Sequence, residues 1–359
     1  MHLPPAMVLQ FLVWGTVVLG SLVSALVLLG TGIQFRRDRQ NRHRIARYQA
    51  WETDLAAHLF SGDETQRAFP EIAKEDRQLF QRFLTRYHAT LAGQEAVALR
   101  ELYLGLGVHG SLPRRLKHRL AAVRAQAAQE VGIFKLGDYL EAVVPLLDDP
   151  VPYVTHLAAQ ALTWSGELRF ALPVVTWVLR EERYQRERLL RVLEGFGPDL
   201  LPWLESHLDP PPAAPEAWVL FALLAGSHRH RESEHRLLEL IAQPNVDLQA
   251  SALKALAALA DPLTYPKVEP LARHEAWPVR AQAAKALGLI GGPDAIPILI
   301  QLTSDPVYEV RRNAAQGMAD LGHAGTSALT WLAEDPSADP FARDIARERL
   351  EWADERGHQ

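Results

Sequence analysis

The sequence has no cysteine, which excludes disulfide staples, thiol catalysis and cysteine-ligated metal sites. It has no Asn-x-Ser/Thr glycan acceptor. No stretch alternates apolar and polar residues with the two-residue period of a half-buried strand, so nothing in it calls for a β-sheet. Charge is missing from one place: no Asp, Glu, Lys or Arg occurs between Met1 and Phe35.

That uncharged start is the first positive feature. Ala6 to Ile33 is almost wholly apolar, and a helix of that length runs about 42 Å, enough to cross a bilayer with tilt. A cleaved signal peptide needs a basic n-region, a shorter apolar core and a small-x-small cleavage site, and the segment does not fit that plan. We expect residues 1–5 to be a short extracytoplasmic N-terminus and 6–35 a transmembrane helix. Arg36, Arg37, Arg39, Arg42, Arg44 and Arg47 crowd its C-terminal flank against one acid, Asp38. The positive-inside rule then keeps the body in the cytoplasm, as in a single-pass inner-membrane protein. The same arginines sit where they meet anionic lipid headgroups. Within the span, Thr16, Gly20 and Ser24 share a small-residue face suited to close helix packing.

Residues 48–359 carry 32 basic and 42 acidic side chains, a formal −10, so phosphate backbones repel this body and no nucleic-acid partner is expected. Residues 36–111 read as a basic juxtamembrane segment and a helical neck. Ile45, Tyr48, Trp51, Leu55 and Leu59 fall at helical spacing over 40–60, Leu79, Phe80, Phe83, Leu84 and Tyr87 over 71–91, and a third helix spans Glu95 to Leu106. Ser111 is placed as an N-cap, with Pro113 in the following first turn.

The rest is periodic. Val123, Val154, Gln185, Glu216, Leu248, Val279, Val310 and Phe341 open equivalent blocks, separated by 31 or, once, 32 residues. A fixed period of this size marks stacked units that each touch only their neighbours. Each unit reads as helix A, turn, helix B; in the sixth, A covers about Val279–Ile290 and B about Asp294–Thr303. The last block has only an A helix, Phe341 to Glu355, dense in charge as a terminal cap requires. The junction Asp305-Pro306-Val307-Tyr308-Glu309-Val310-Arg311 leads into an Ala-rich helix. It resembles the HEAT repeat in its bacterial form, over about residues 112–355, with residues 356–359 as a tail. The resemblance implies an all-α, right-handed α-solenoid of about seven helical hairpins plus a capping helix. With one membrane span, it is also similar to bacterial proteins found beside envelope glycosyltransferases.

Candidate chemistry is sparse. Gly105-Leu106-Gly107-Val108-His109-Gly110 matches G-x-G-x-x-G but follows a helix instead of a strand, so it reads as a helix stop. His228, His230 and His235 cluster, yet Arg229 and Arg231 interleave them and oppose a dication; no metal is expected. Arg124, Arg186, Arg280 and Arg311 recur at the second block position, where HEAT-like arrays bond acids and carbonyls of adjoining units. Helix B lines the concave surface in such stacks, which makes Val174, Trp177, Trp203, Arg236, Glu239, Lys267, Gln301 and Trp331 candidate partner contacts; Trp177 filling an inter-repeat gap is the competing reading. The expectation is a non-catalytic, membrane-anchored scaffold or adaptor without cofactor or small-molecule substrate. It binds a protein partner, with an envelope polysaccharide glycosyltransferase system as the suggested class. The alternatives are a HEAT-like enzyme of phycobilin-lyase or DNA-glycosylase type, and an extracytoplasmic polymer-binding solenoid.

Overall fold

The computed structural model describes residues 44–59, 69–88, 93–180, 189–209 and 213–357, with Leu29, Thr31, Gln34, Phe35 and Arg42 as isolated positions. The expected membrane span, with Thr16, Gly20 and Ser24, lies almost wholly outside the described residues, as do Arg36, Arg37, Arg39 and Arg186. Among the described residues no helix is long and apolar enough to cross a membrane, and no strand occurs. The chain divides into two compact units, Met1–His118 and Arg119–Gln359.

In the first unit, helices α1 (44–59), α2 (Arg77–His88), α3 (Gln94–Gly105) and the single turn α4 (Leu112–Leu116) surround an aromatic core. Trp51, Phe80 and Phe83 are buried. Trp51 meets Phe80 edge-on with centroids 5.0 Å apart, and Tyr48 meets Phe83 at 5.3 Å, the geometry that ring quadrupoles favour. The second helix begins at Arg77, six residues later than its apolar spacing predicts. Glu71 to Asp76 instead form coil and turn. There Asp76 is buried, pairs with Arg47 at 3.0 Å and accepts the Phe80 N–H through its carbonyl. Ser111 precedes α4 without capping it through its side chain.

The second unit is an all-helical stack of hairpins. Its A helices are α5 (Ala121–Ile133), α7 (Pro152–Trp164), α9 (189–193), α11 (Pro215–Ser227), α13 (Val246–Leu259), α15 (Trp277–Ile290), α17 (Tyr308–Asp320) and α19 (Pro340–Gly357). Its B helices are shorter: α6 (Gly137–Val143), α8 (Ala171–Arg180), α10 (Leu200–His207), α12 (Glu234–Ile241), α14 (Tyr265–Val268), α16 (Ile296–Leu302) and α18 (His323–Glu334). Most B helices are entered through a 3₁₀ turn, such as Leu168–Phe170, Arg231–Ser233 and Gly292–Ala295. The block-opening residues Val154, Leu248, Val279 and Val310 are fully buried, so the repeated position is a core anchor.

Successive A helices pack on one another through small residues. A methyl group added at Gly288 would lie 2.2 Å from the Gly317 Cα, one at Gly132 2.5 Å from the Ala161 Cα, and one at Gly226 2.9 Å from the Ala255 Cα. Backbones approach at these points because no side chain separates them. Overpacking a tight core costs about 1–3 kcal/mol. We therefore predict that Gly288→Val lowers the melting transition clearly, whereas Gly105→Ala, whose added methyl meets nothing within 4 Å, leaves it unchanged.

Candidate functional site: the two helix rows and their junctions

Two of the junctions between repeats are tied by an arginine of the A helix to an acid of the next linker. The Arg280 Nε donates to Asp305 Oδ2 at 2.7 Å and Nη2 to Oδ1 at 3.1 Å, while Nη1 donates to the carbonyls of His274 and Glu275 at 2.9 and 2.7 Å. Asp305 Oδ1 also accepts the Val307 N–H at 2.8 Å. Arg124 repeats this with Asp149 at 2.6 and 2.9 Å, and Asp149 accepts the Val151 N–H at 3.0 Å. The two carboxylate side chains are only 4 % and 7 % exposed. Hydrogen bonding to Arg124 holds the Asp149 carboxyl below the usual carboxylate range, helped by the Val151 N–H and opposed by burial. These arginines spend their fork on the protein's own acids and carbonyls, as the HEAT-like pattern implies, and are not an anion groove. Arg311 differs because Pro336 stands where its acid would be. Its Nη1 donates to the Asp305 and Pro306 carbonyls, and its guanidinium lies over the rings of Tyr308 and Phe341, 5.7 and 4.6 Å from their centroids.

The B-helix row corrects part of the expected partner surface. Val174 is 0 % and Trp177 6 % exposed, so neither is available to a partner. Val174, Val175, Trp177 and Val178 are all buried in α8, and the helix shows Leu172, Thr176 and Arg180 to solvent instead. The Trp177 ring packs 6.5 Å from that of His156 on α7. The cause is the side chain itself: Gln301, at the same position of α16 and also after a 3₁₀ turn, stays exposed, whereas the large indole of Trp177 folds onto the apolar neighbours. Trp203 is half-buried and stacks on His207 with centroids 4.1 Å apart. Arg236 bonds Glu205 at 3.1 Å, pairs with Glu239 and lies over the Trp218 ring. Lys267, Gln301 and Trp331 are exposed, Trp331 at 55 %. Ion pairs from Arg169 to Glu141, Arg180 to Asp148 and Arg236 to Glu205 bridge successive units along this row. Being partly solvated, each contributes about 0–1 kcal/mol.

The remaining motifs resolve into local structure. His230 Nδ1 meets the buried Ser233 hydroxyl at 2.9 Å, whereas His235 Nε2 meets Glu205 at 2.9 Å. The imidazoles thus serve separate partners, and no metal-holding group of side chains occurs among the described residues. Gly105 ends α3 and Gly107 takes φ +65° before a 3₁₀ turn, the conformation of a helix stop. Of the basic flank, Arg42 and Arg44 are exposed, while Arg47 is held by Asp76.

The A-helix row carries a feature the sequence reading did not single out. A groove of about 420 Å³ runs over α9, α11, α13 and α15, with Leu190, Leu223 and Leu289 as walls and alanines and Gly226 as floor. Lys254 and Lys285 line it from equivalent positions, 31 residues apart. The repeat itself held the signal, since Lys285 sits in the best-preserved block.

With this geometry established, similarities to known proteins can be placed. Residues 233–319 and 268–351 match the HEAT repeats, covering α12 through most of α19. No curated protein matches the sequence. Among solved structures, Kap121p is similar at 13 % identity and TM-score 0.35, over 83 % of this chain and 44 % of that one. This chain therefore spans less than half the length of Kap121p. The CpcE–CpcF complex of phycocyanin lyase from Nostoc sp. PCC7120 is similar at 19 % identity and TM-score 0.26, over 67 % and 86 %. Human deoxyhypusine hydroxylase is similar at 16 % identity and TM-score 0.30, over 87 % and 98 %. None of the three carries a role to this chain.

Two outcomes follow from the junctions and the B row. Trp177→Ala removes a packed indole, so it should cost about 3–5 kcal/mol of stability, read as a large fall in the melting transition. Because the Asp149 carboxyl is held low by Arg124, its stabilisation is complete above the ordinary carboxylate pKa of about 4 and is lost as pH falls through the lowered value. Arg124→Met should therefore lower stability at neutral pH and flatten the acid limb of a stability–pH profile.

Proposed function

We propose that this chain is a non-catalytic scaffold that holds a protein partner on its repeat stack. The observation that carries this reading is the groove over four consecutive A helices: the repeats bury their core faces against one another, yet leave this apolar-lined strip uncovered. A groove of this kind can receive the apolar side chains of a partner segment. The exposed Lys267, Gln301 and Trp331 on the B row offer a second, more polar contact strip.

The scaffold acts at a membrane. The support is in the sequence: an uncharged, apolar start and six arginines directly after it, which place the stack in the cytoplasm under the positive-inside rule. Anchoring confines partner and chain to one surface and raises their effective concentration without new contacts. A membrane-bound envelope polysaccharide glycosyltransferase system is the partner class this layout points to.

A reporter active only in the cytoplasm, fused after Gln359, should function; protease reaching the stack from outside intact cells would overturn the topology. In-membrane crosslinking of the full chain should yield a defined heteromeric product, and recovery of the chain alone would refute the scaffold.

A further inference from the structure

We infer that the A-row groove receives an acidic amphipathic helix: a partner segment whose apolar stripe is flanked by carboxylates about two turns apart. The inference rests on the scaffold reading and names the kind of partner.

Three observations lead to it. The first is charge. Among the described residues, Lys254 and Lys285 are the only charged ones lining the groove, and no Asp or Glu lines it. The acids of α11 and α13, Glu216 and Asp247, sit in the first turns of their helices, about two turns before the lysine position. The one other cation of α15, Arg280, is tied to Asp305. Both lysines are exposed and have no salt-bridge partner among the described residues. On a body of net negative charge, this strip selects locally for carboxylates.

The second is the floor. Ala222, Ala255, Ala258 and Gly226 leave a trough between the walls of Leu190, Leu223 and Leu289. Leucine-sized side chains fill such a trough, and the exposed Leu289 continues the apolar wall to the surface.

The third is the backbone. Every surface of the groove comes from α-helices, whose N–H and C=O groups are already paired along the helix axis. An incoming strand would find no ladder to join. A segment that buries an apolar stripe there must satisfy its own backbone, which a helix does and an extended peptide does not. Packed helices lie about 8–10 Å apart. Equivalent lysines on α13 and α15 thus match carboxylates seven residues apart on a helix crossing them, a rise of about 10.5 Å.

The test uses the full chain in neutral detergent micelles and two fluorescent helical peptides with the same leucine stripe. One carries Glu at i and i+7 beside the stripe, the other Lys. Anisotropy should show the Glu peptide binding at least tenfold more tightly. The double variant Lys254→Glu/Lys285→Glu, at exposed sites that leave the melting transition unchanged, should reverse the preference, and Leu289→Glu should weaken the Glu peptide. Equal affinity for both peptides, a preference that survives the charge reversal, or no binding of the Glu peptide would each overturn the inference. In-membrane crosslinking of the unaltered full chain separates this from the scaffold reading. If the peptides fail but the heteromeric product persists, the groove assignment falls and the scaffold stands; if both fail, both fall.

Discussion

The stack depends on how closely one A helix can approach the next. At Gly288–Gly317, Gly132–Ala161 and Gly226–Ala255 the backbones come within reach of a single methyl group. That contact sets the spacing of the repeats, and the block-opening Val154, Leu248, Val279 and Val310 fill the remaining space. Everything else in the second unit is arranged around it. The B helices close the opposite side as short segments, and the junction arginines hold the linkers in the one conformation that lets the next A helix start in register.

The junctions show how a polar interaction can sit in a nearly inaccessible place without wasting its donors. Arg280 satisfies two carboxylate oxygens and two carbonyls at once, and Asp305 serves both as its partner and as the cap of the following turn. Such a fork–fork pair is directional, unlike the alanine and glycine contacts beside it. Close packing sets how near the helices lie, and the ion pair sets which way the chain leaves one repeat and enters the next.

The A helices were legible in the sequence because their period of 31 superposes an apolar anchor in most blocks and an arginine after it in four of the eight; the predicted A helix of the sixth unit, Val279–Ile290, lies within the observed Trp277–Ile290. The B row was less legible for a physical reason. Its helices are short, so few periodic positions define the buried arc, and the identity of a single side chain decides whether a position on its border is covered. Val174 was placed outward although its counterpart Ile298 is buried as well, and the Trp177 ring is buried beside His156 where Gln301, at the same position of α16, remains exposed, as does Trp331. The groove escaped because it belongs to no single helix. It is made by the gap among four of them, and a residue pattern read one helix at a time carries no sign of that gap.

Arg311 gives the array two unlike ends. Its counterpart Arg124 faces the Asp149 carboxylate, which a proton can neutralise, but Arg311 faces the rings of Tyr308 and Phe341, which no acid titrates. In a chain of nearest-neighbour couplings, each junction contributes its own share of the stability. Acidification therefore acts on this protein unevenly: it loosens the Arg124–Asp149 clasp beside α5 and α7 and leaves the Arg311 clasp on its two rings untouched.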